Sequence, residues 1–401
     1  MTAVRALLLE SIHPDAADLL ASSGFEVETV DRALGEAELV ERLPGVGLLG
    51  IRSKTQLTAA AFEAATDLVA VGAFCIGTNQ IELPAASAAG VAVFNAPFSN
   101  TRSVVELALA EIIAMTRRLT EKNQLMHGGV WDKSAAGAHE VRGRTLGIVG
   151  YGNIGTQLSV LAESLGMRVL FYDTVDKLAL GNAHRCLSLK ELLAEADVVT
   201  LHVDGRPGNE SFFGEDEFAT MRPGALFLNL SRGFVVDTAA LRRNIESGHL
   251  AGAAVDVFPV EPRGRGDEFV SELRGLPNVI LTPHIGGSTE EAQQDIGRFV
   301  ALKLRDFMVD GSTAMSVNMP MLTLSRTENT LRLIHMHRNV PGVLARVNGL
   351  LAEGGVNVEA QMLATRGDLG YVVTDSASGT TQSIVDQIRA MPETIRLRVI
   401  F

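Results

Sequence analysis

The sequence contains few aromatic residues and few cysteines, and each shortage narrows the class of protein to which it belongs. Aromatic residues make up 5% of the 401 residues, whereas alanine, valine, leucine and glycine are abundant, which favours buried parallel strands packed by helices. The two cysteines, Cys75 and Cys186, lie far apart and lack the spacing of metal ligands. We therefore predict neither a disulfide framework nor a metal site, and interpret both cysteines as buried residues in a reducing compartment.

Long apolar runs and basic clusters are absent as well. No stretch of about 18 uncharged apolar residues occurs, so no membrane span is predicted. An acidic side chain, Glu10, follows Met1 too closely for a secretory signal. The formal net charge is −12 without any block of Lys and Arg, which disfavours nucleic acid and membrane surfaces as partners. We expect a cytoplasmic protein that binds small molecules.

The length and the order of apolar segments predict two α/β lobes and a third, smaller domain. Residues 1–98 alternate short apolar strands with helical segments, and a second unit of this kind runs from about 146 to 283. Two long helices bracket the second unit. The first is capped by Ser99 or Asn100, and the second starts at Ser288, which forms a predicted capping box with Glu291. This arrangement predicts doubly wound parallel sheets in a discontinuous lobe (1–98 and 287–318) and a central lobe (99–286).

The C-terminal residues have a different pattern. Residues 319–329 are predicted to form a linker, because residues 311–329 are polar and irregular. Residues 330–401 then read strand, helix, strand, strand, helix, strand. This βαββαβ order predicts a ferredoxin-like α+β domain.

A glycine-rich turn follows the apolar strand that begins near Leu146. Gly150, Gly152 and Gly155 have the spacing G-x-G-x-x-G between a predicted strand and a predicted helix, the context in which this pattern binds a dinucleotide. The glycines let backbone N–H groups approach a pyrophosphate at the helix N-terminus. Asp173 ends the next strand, 18 residues after the last glycine, where a carboxylate binds the ribose 2′-hydroxyl of NAD. The alternative interpretation is a structural turn with a surface aspartate.

Three side chains suited to hydroxy-acid oxidation follow apolar strands of the central lobe. Arg232, Glu261 and His284 each lie just beyond such a strand, where ligands collect in open α/β sheets. His284 is predicted to be the acid/base, Glu261 to orient and charge-stabilise its ring, and Arg232 to hold the substrate carboxylate. Taken singly, each has a structural alternative: a core histidine, a surface glutamate and a helix-capping arginine. Their occurrence together behind a dinucleotide motif favours the catalytic interpretation.

The sequence around these three residues resembles a known family. Asn229-Leu-Ser-Arg-Gly, Ala254-Val-Asp-Val-Phe-Pro-Val-Glu-Pro and Thr282-Pro-His-Ile-Gly-Gly-Ser-Thr are similar to segments of the D-isomer-specific 2-hydroxyacid dehydrogenases, and the resemblance covers residues 1 to about 318. It implies two Rossmann-like lobes, with a discontinuous substrate-binding domain and a central NAD-binding domain. The resemblance also implies cofactor contacts beyond the three glycines and Asp173. These further contacts are made by Arg232, His284, Asn153, Ile154, Leu230, Ser231, Asp256, Gly286 and Gly287.

The resemblance extends to members of this family that oxidise 3-phosphoglycerate. It rests on the segments Gly72-Ala-Phe-Cys-Ile-Gly-Thr-Asn and Phe94-Asn-Ala-Pro-Phe-Ser-Asn-Thr-Arg-Ser. A phosphorylated substrate has two anionic ends and needs a second anchor besides Arg232. The resemblance implies substrate contacts for Arg52, Ser53 and Asn100, although Arg52 has an alternative as a solvated surface charge. Lys133 is interpreted either as a phosphate contact, in its own or a neighbouring subunit, or as a solvated loop residue.

One stretch departs from the family pattern. After His202, similar enzymes carry Val-Pro and then a threonine, whereas this chain reads Val203-Asp204-Gly-Arg-Pro-Gly-Asn-Glu-Ser. The stretch borders the predicted adenine end of the dinucleotide site. We therefore expect residues 204–211 to affect cofactor affinity more than chemistry.

The C-terminal domain resembles an ACT domain, a regulatory module that binds small molecules. The resemblance rests on His335-Met-His-Arg-Asn339-Val-Pro-Gly and on Gly354-Gly-Val-Asn357. It implies that His337, Asn339 and Asn357 bind an amino-acid effector between paired modules, with L-serine as the expected feedback inhibitor, and that the chain forms a homo-oligomer, which we expect to be a tetramer. His335 and His337 alternate on one strand face, but the pair lacks further ligands, so no metal is predicted.

Three competing interpretations remain open at this point. The enzyme interpretation has a rival in another D-2-hydroxyacid substrate, such as 2-hydroxyglutarate, the reduced form of 2-oxoglutarate. A non-enzymatic NAD-sensing scaffold shares the family fold, but the ACT-like domain argues against it. A pure serine sensor is disfavoured by the presence of Arg232, Glu261 and His284 together.

Overall fold

The computed structural model describes residues 3–262, 266–377 and 380–400. Contacts divide the chain into two units, one formed by Met1–Ser99 and Gln293–Phe401 and the other by Asn100–Ala292. Within the described residues, the first unit contains a five-stranded and a four-stranded sheet and the second a seven-stranded sheet. Among the described helices, none combines the length and the apolar character needed to cross a bilayer. The predicted fold class, two parallel α/β sheets followed by an α+β sheet, is confirmed.

The N-terminal sheet is parallel, with the strand order β2-β1-β3-β4-β5. All residues of β3 and β4, two of its three inner strands, are buried, which is typical of strands covered by helices on both faces. The elements are β1 (Arg5–Leu9), α1 (Pro14–Ser22), β2 (Glu26–Val30), α2 (Glu36–Arg42), β3 (Val46–Ile51), α3 (Ala59–Ala64), β4 (Ala70–Ala73), α4 (Leu83–Ala88) and β5 (Ala92–Asn95).

The sheet of the second unit is also parallel, with the order β12-β11-β10-β9-β6-β7-β8. The chain order reverses between β6 and β9, and ligands of open α/β sheets bind beyond the carboxyl ends of strands at such a reversal. The elements are α5 (Thr101–Thr116), α6 (Leu119–His127), β6 (Thr145–Val149), α7 (Asn153–Ser164), β7 (Arg168–Tyr172), β8 (His184–Arg185), α8 (Leu189–Glu195), β9 (Val198–Leu201), α9 (Glu215–Thr220), β10 (Ala225–Asn229), α10 (Thr238–Glu246), β11 (Leu250–Val255) and β12 (Val279–Leu281).

The long helix α11 (Glu290–Asp310) begins one residue later than a cap at Ser288 predicts. The expected capping box at Ser288 is wrong, because the backbone N–H of Ser288 donates to the carbonyl of Ile285 and places this residue in the preceding turn. The hydroxyl of Thr289 instead accepts a hydrogen bond from the N–H of Ala292 at 3.1 Å. A β-hydroxyl in the cap position satisfies one of the free N–H groups of the first helical turn.

The C-terminal sheet has the predicted βαββαβ chain order and is antiparallel, with the strand order β14-β15-β13-β16. One face packs against its two helices. The other face contributes Ile334, Met336 and Tyr371 to a core shared with Leu304 and Phe307 of α11. The elements are β13 (Leu331–Arg338), α12 (Val343–Glu353), β14 (Val358–Arg366), β15 (Leu369–Ser376), α13 (Gln382–Arg389) and β16 (Thr394–Ile400).

The segment between α11 and β13 lacks regular secondary structure but is firmly held within its unit. The side chain of Asn318 accepts a hydrogen bond from the N–H of Val93 at 2.8 Å and donates to the carbonyl of Val91 at 2.9 Å. Arg332 is fully buried and donates from Nε and Nη2 to the carboxylate of Asp375, at 2.6 and 2.7 Å. Its other N–H groups donate to the carbonyls of Asp310, Leu324 and Ser325.

Candidate active site

The glycine-rich turn connects β6 to α7 with almost no free space around two of its three glycines. Gly150 has φ of +93°, and a Cβ atom there would lie 2.6 Å from the carbonyl oxygen of His202. A Cβ on Gly155 would lie 2.3 Å from the carbonyl oxygen of Gly150, so the helix packs directly on the turn. Gly152 differs, because nothing lies within 4 Å of its would-be Cβ. The turn thus leaves open space at the N-terminus of α7, the position where a pyrophosphate binds this motif.

Asp173 lies at the carboxyl end of β7 and closes this turn from the other side. Its carboxylate accepts hydrogen bonds from the N–H groups of Tyr151 at 2.8 Å and Val175 at 2.9 Å. Tyr151 is buried and stacks on Phe171 with ring centroids 3.8 Å apart. The buried ring of Tyr151 holds the backbone N–H of that residue in place. Because this N–H donates to Asp173, the carboxylate of Asp173 has a fixed orientation beside the glycine turn.

His284 and Glu261 form a hydrogen-bonded pair in the second unit. Nδ1 of His284 lies 2.9 Å from Oε2 and 3.1 Å from Oε1 of Glu261, and the N–H of Phe258 donates to Oε1 at 3.1 Å. The backbone N–H of His284 donates to the carbonyl of Asp256 at 2.8 Å, and the residue has φ of +54°. The ring is 49% exposed, and its Nε2 has no hydrogen-bond partner among the described residues. Since Nδ1 is held, Nε2 is the atom available to a ligand.

The environment of this pair moves the pKa of both members. The hydrogen bond that His284 donates to the carboxylate of Glu261 raises the pKa of His284, and the negative charge of that carboxylate adds to the effect, while burial opposes it. Burial alone would raise the pKa of Glu261, but the hydrogen bonds from His284 and Phe258 and the charge of Arg232 outweigh it, so that pKa lies below its usual value. An ionised Glu261 therefore stabilises an imidazolium at position 284.

A cavity of about 440 Å³ lies beside the pair and is lined mainly by apolar groups.

Arg232 is held at the end of β10 by two close backbone contacts. Its Nη1 donates to the carbonyl of Ser231 at 2.7 Å, and the buried side chain of Asn229 donates to the carbonyl of Arg232 at 3.1 Å. The next residue, Gly233, lies against the loop that carries Glu261. A Cβ on Gly233 would lie 1.9 Å from the carbonyl carbon of Phe258, so only glycine allows this approach. The contact brings Arg232 close enough to act electrostatically on both Glu261 and His284.

Asp256 is a buried carboxylate that fixes the loop after His284. It accepts hydrogen bonds from the hydroxyl of Thr282 at 2.6 Å and from the N–H groups of Ile285 and Gly286, both at 2.8 Å. Gly287 follows, and a Cβ there would lie 2.2 Å from the side-chain nitrogen of Asn100. Asn100 occupies the N-cap position of α5, as predicted, but its side chain makes no capping bond. Asn100 and the 284–287 loop are therefore neighbours within the second unit.

The predicted phosphate contacts Arg52 and Ser53 lie in the first unit, in the loop after β3. Glu10 shapes this loop, because its carboxylate accepts hydrogen bonds from the N–H groups of Arg52 at 3.2 Å, Lys54 at 3.0 Å and Thr55 at 2.8 Å. Nη1 of Arg52 is 3.5 Å from the carbonyl of Glu10. Lys133 is exposed in the loop between α6 and β6 of the second unit.

The three predicted effector residues do not lie together within one chain. His337 is buried on β13, its ring 5.0 Å from that of His335, and its Nδ1 bonds the carbonyl of Arg338 at 2.8 Å. Asn339 follows β13 and donates to the carbonyl of Gly367 at 3.0 Å. Asn357 precedes β14, where its carbonyl accepts from the N–H of Ala377 beyond the far end of β15. The eight-residue strand β15, roughly 26 Å long at about 3.3 Å per residue, therefore separates Asn357 from Asn339.

Some residues that hold the site together were not predicted from the sequence. Asn229 accepts hydrogen bonds from both the N–H and the hydroxyl of Ser231, and Thr282 binds Asp256. Asn229 and Thr282 lie within the segments that carry the family resemblance, which was the available signal. Glu10 gave no signal, because its role depends on a loop 42 or more residues away.

Family models match two parts of the chain. Residues 109–286 match the NAD-binding domain of the D-isomer-specific 2-hydroxyacid dehydrogenases. Residues 333–396 match an ACT domain like that of the AHAS small subunit. Both matches agree with the predicted positions of the dinucleotide motif and of the C-terminal regulatory module. The central domain is an NAD-binding domain, and the C-terminal domain is of the ACT type.

Curated relatives match the chain over almost its whole length. The D-3-phosphoglycerate dehydrogenase of Haemophilus influenzae is 48% identical over 399 residues, covering 99% of this chain and 97% of the relative. The enzyme of the same name from Escherichia coli K12 is 48% identical over 401 residues, covering 99% and 98%. Among solved structures, D-lactate dehydrogenase from Aquifex aeolicus, complexed with NAD and lactic acid, superposes with a TM-score of 0.65 at 25% identity, covering 76% of this chain and 95% of that one. The chain therefore belongs to the NAD-dependent D-isomer-specific 2-hydroxyacid dehydrogenases, and within them it groups with the D-3-phosphoglycerate dehydrogenases.

Proposed function

We propose that this protein oxidises D-3-phosphoglycerate to 3-phosphohydroxypyruvate with NAD⁺, the first step of the phosphorylated route to L-serine. The observation that carries the proposal is the His284–Glu261 pair, with Nδ1 bound to the carboxylate and Nε2 available, and with the charge of Arg232 acting on both. The full-length relatives that carry the same name support the choice of substrate. Within the described residues neither cysteine forms a disulfide, which supports a cytoplasmic location.

In the proposed reaction, Nε2 of His284 takes the proton of the substrate C2 hydroxyl. Bound NAD⁺ supplies the acceptor for the hydride that leaves C2. Glu261 keeps the proton of His284 on Nδ1 and stabilises the imidazolium that forms. Arg232 binds the C1 carboxylate, for which its planar guanidinium is suited. In the reverse direction the imidazolium returns its proton to the carbonyl oxygen.

The residues of the glycine turn and of the strand ends fit a dinucleotide. The open space at Gly152 and the closely packed Gly150 and Gly155 fit a pyrophosphate at the start of α7, and the fixed Asp173 fits a ribose 2′-hydroxyl. We assign the pyrophosphate to Asn153 and Ile154 as well, since they begin the helix. We assign the nicotinamide end to Arg232, His284, Leu230, Ser231, Asp256, Gly286 and Gly287.

The phosphate end of the substrate is assigned to groups outside the catalytic pair. Arg52 and Ser53 lie in a loop whose backbone is held by the buried Glu10, so the loop is ordered before any ligand binds. Asn100 lies against Gly287 in the second unit. Lys133 is a solvent-exposed cation and the fourth proposed contact.

The substrate assignment is tested by measuring NADH formation from purified protein. D-3-phosphoglycerate is compared with D-2-hydroxyglutarate, and L-3-phosphoglycerate serves as the stereochemical control. We expect the highest kcat/KM with D-3-phosphoglycerate and no NADH formation with its L isomer. A preference for D-2-hydroxyglutarate would reject the proposed substrate but keep the reaction, and NADH binding without turnover of either acid would reject the enzyme in favour of a cofactor-sensing scaffold.

Replacing Glu261 with Gln is expected to shift the acid limb of the pH profile. kcat/KM for oxidation falls when His284 is protonated, because the imidazolium cannot accept a proton. The negative charge of Glu261 raises that pKa, so its removal lowers the pKa of His284 and moves the acid limb down by about one pH unit. The Glu268→Gln variant, which changes an exposed carboxylate, is the control. An acid limb that stays at the same pH in Glu261→Gln would contradict the pairing.

We also propose that the ACT domains pair through β14 and that L-serine binds between them. β14 is a nine-residue strand at the edge of its sheet, with exposed Met362 and Leu363, and an exposed apolar edge strand favours pairing with another chain. In an antiparallel pair centred on Met362, Asn357 of one chain lies opposite Gly367 of the other. Because Asn339 donates to Gly367, such pairing joins the effector residues that one chain keeps apart.

A tetramer needs a second contact surface besides β14. Exposed apolar side chains are present along α6 and the loop after it, in the second unit. Exposed apolar surfaces of this kind are typical of interfaces between subunits. The residues concerned are Leu119, Met126, Val130 and Trp131.

L-serine is expected to inhibit NADH formation, and Asn357→Ala is expected to raise the half-inhibitory serine concentration at least tenfold. The loss corresponds to a hydrogen bond with a charged group of the amino acid. kcat without serine is expected to stay within twofold of the wild-type value. Gln382→Ala, which changes an amide of the same domain, is the control, and mass is measured by light scattering alongside. Inhibition that is identical in both variants, or a monomeric mass, would reject the proposed effector site.

A further inference from the structure

The loop that follows β9 lies against the arginine proposed to hold the substrate. A Cβ on Gly205 would lie 3.4 Å from Nε and 3.5 Å from Cγ of Arg232. The neighbouring carboxylate of Asp204 is close enough for the positive charge of Arg232 to contribute to lowering its pKa, after the larger effect of its hydrogen bond with Arg206. The chain thus places an acidic side chain beside the group that must bind the substrate carboxylate.

Asp204 is already occupied by other groups of the same loop. Arg206 donates to it from Nε and Nη2, each at 2.7 Å to a different oxygen. Nδ2 of Asn209 donates to Oδ1 and to the backbone carbonyl of Asp204, both at 2.9 Å. A planar guanidinium that binds both carboxylate oxygens neutralises and orients them together.

Arg232 therefore has two carboxylates as neighbours, and each is hydrogen-bonded to a different side chain. Glu261 binds His284, and Asp204 binds Arg206. The only hydrogen bond that the guanidinium of Arg232 makes within the described residues runs from Nη1 to the carbonyl of Ser231. Nε and Nη2 of Arg232 are available to a ligand because neither Asp204 nor Glu261 accepts a hydrogen bond from them.

We propose that Arg206 is a positioning residue for the substrate: it holds Asp204 and so prevents that carboxylate from competing with the substrate carboxylate for Arg232. The proposal rests on the assignment of Arg232 as the carboxylate anchor. Without Arg206, an unpaired Asp204 attracts Arg232 and turns the guanidinium away from the substrate. Removal of Arg206 alone is therefore expected to weaken substrate binding. Removal of Asp204 and Arg206 together is expected to leave substrate binding unchanged, because no free carboxylate then competes for Arg232.

The test is a set of variants with separate measurements of substrate and cofactor. Arg206→Ala is expected to raise KM for the hydroxy acid about fivefold, the size of an interaction between exposed charges, with kcat within twofold of the wild-type value. Asp204→Asn is expected to leave KM unchanged, and Asp204→Asn/Arg206→Ala to return it to the wild-type value. Arg206→Lys keeps the charge but not the paired hydrogen bonds, so partial recovery is expected.

Two controls separate the positioning role of Arg206 from an effect on the cofactor and from a general loss of surface charge. Arg206 also lies near enough to Asp173 for that charge to act on it, so the dissociation constant of NADH is measured by fluorescence titration in every variant. Arg243→Ala removes another exposed arginine that donates two bonds to one carboxylate, that of Glu215, and is expected to leave KM unchanged. A KM that stays raised in the double variant, or a KM change matched by a change in NADH binding, would overturn the proposal.

The outcome is distinguishable from failure of the proposed substrate. All 2-hydroxy acids share the C1 carboxylate, so KM is compared on whichever hydroxy acid the wild-type protein oxidises. A wild type that does not oxidise D-3-phosphoglycerate rejects the substrate assignment, while the variant series still decides the role of Arg206. A wild-type KM in Arg206→Ala rejects the role of Arg206 alone.

Discussion

Replacing His284 with Ala is expected to lower kcat for hydroxy-acid oxidation by about 10³-fold, within the range of general acid–base catalysis. The variant loses the imidazole, whose Nδ1 is held by Glu261 and whose Nε2 is open to a ligand. His284 is one of several proposed nicotinamide contacts, and Arg232 and the glycine turn are unaltered, so NADH is expected to bind with a dissociation constant within about tenfold of the wild-type value. Steady-state NADH formation and fluorescence titration measure the two quantities separately.

The conformation of His284 calls for a second variant. Its φ of +54° lies in the left-handed region, which alanine adopts less readily than asparagine. His284→Asn therefore separates loss of the base from strain in the loop, and we expect the same fall in kcat. His127→Ala, at the exposed end of α6, is the control and is expected to keep full activity. Activity above a tenth of the wild-type value in both His284 variants would assign the proton transfer to another group.

The inner strands of both parallel sheets were predictable because most of their residues are apolar. The apolar run Val46–Ile51 predicts β3 with its observed bounds, and the run Val91–Asn95 predicts β5 except that the strand starts one residue later. A strand that is buried on both faces is a continuous apolar run, so the local sequence is enough to predict where the strand lies. The cap of α11 was harder to predict, since Ser288 and Thr289 are both good caps and the preceding turn decides between them.

The side chains proposed to carry the chemistry were predictable because each follows a strand of one parallel sheet. Carboxyl ends of parallel strands lie at one edge, which brings Arg232, Glu261 and His284 within electrostatic range of one another. The supporting contacts were not predictable, since they depend on which loops approach each other. Gly233 lies against Phe258 and Glu10 binds the loop after β3, and neither pairing has a periodicity that a sequence reveals.

Glu111 shows where helical periodicity fails. The apolar residues of α5 indicate its packed face, and a glutamate between them suggests solvent exposure. The structure instead buries Glu111, and neither of its carboxyl oxygens has a hydrogen-bond partner among the described residues. Burial, together with the nearby negative charge of Asp256, raises its pKa to about 8. The side chain therefore holds its proton at neutral pH.

This shift makes the stability of the protein depend on pH in a direction that can be calculated. The unfolded chain releases the proton of Glu111 near its ordinary pKa of 4.5, whereas the folded chain keeps it up to about 8. The contribution of Glu111 to the free energy of unfolding is therefore most favourable below pH 4.5 and falls as the pH rises through about 8. Across this window of about 3.5 units the loss is roughly 5 kcal/mol, at about 1.4 kcal/mol per unit.

Glu111→Gln is expected to remove this dependence. Its amide remains neutral at every pH, so the free energy of unfolding of the variant, minus that of the wild type, is expected to rise by about 5 kcal/mol between pH 4.5 and pH 9. Chemical denaturation at several pH values measures that difference, and subtraction cancels the pH dependence of all other groups. Glu106→Gln is the matched control, since Glu106 lies on the same helix, exposed, and pairs with Arg102. Parallel stability curves for wild type and Glu111→Gln would show that Glu111 is ionised in the folded protein, in which case a cation or water must reach its carboxylate.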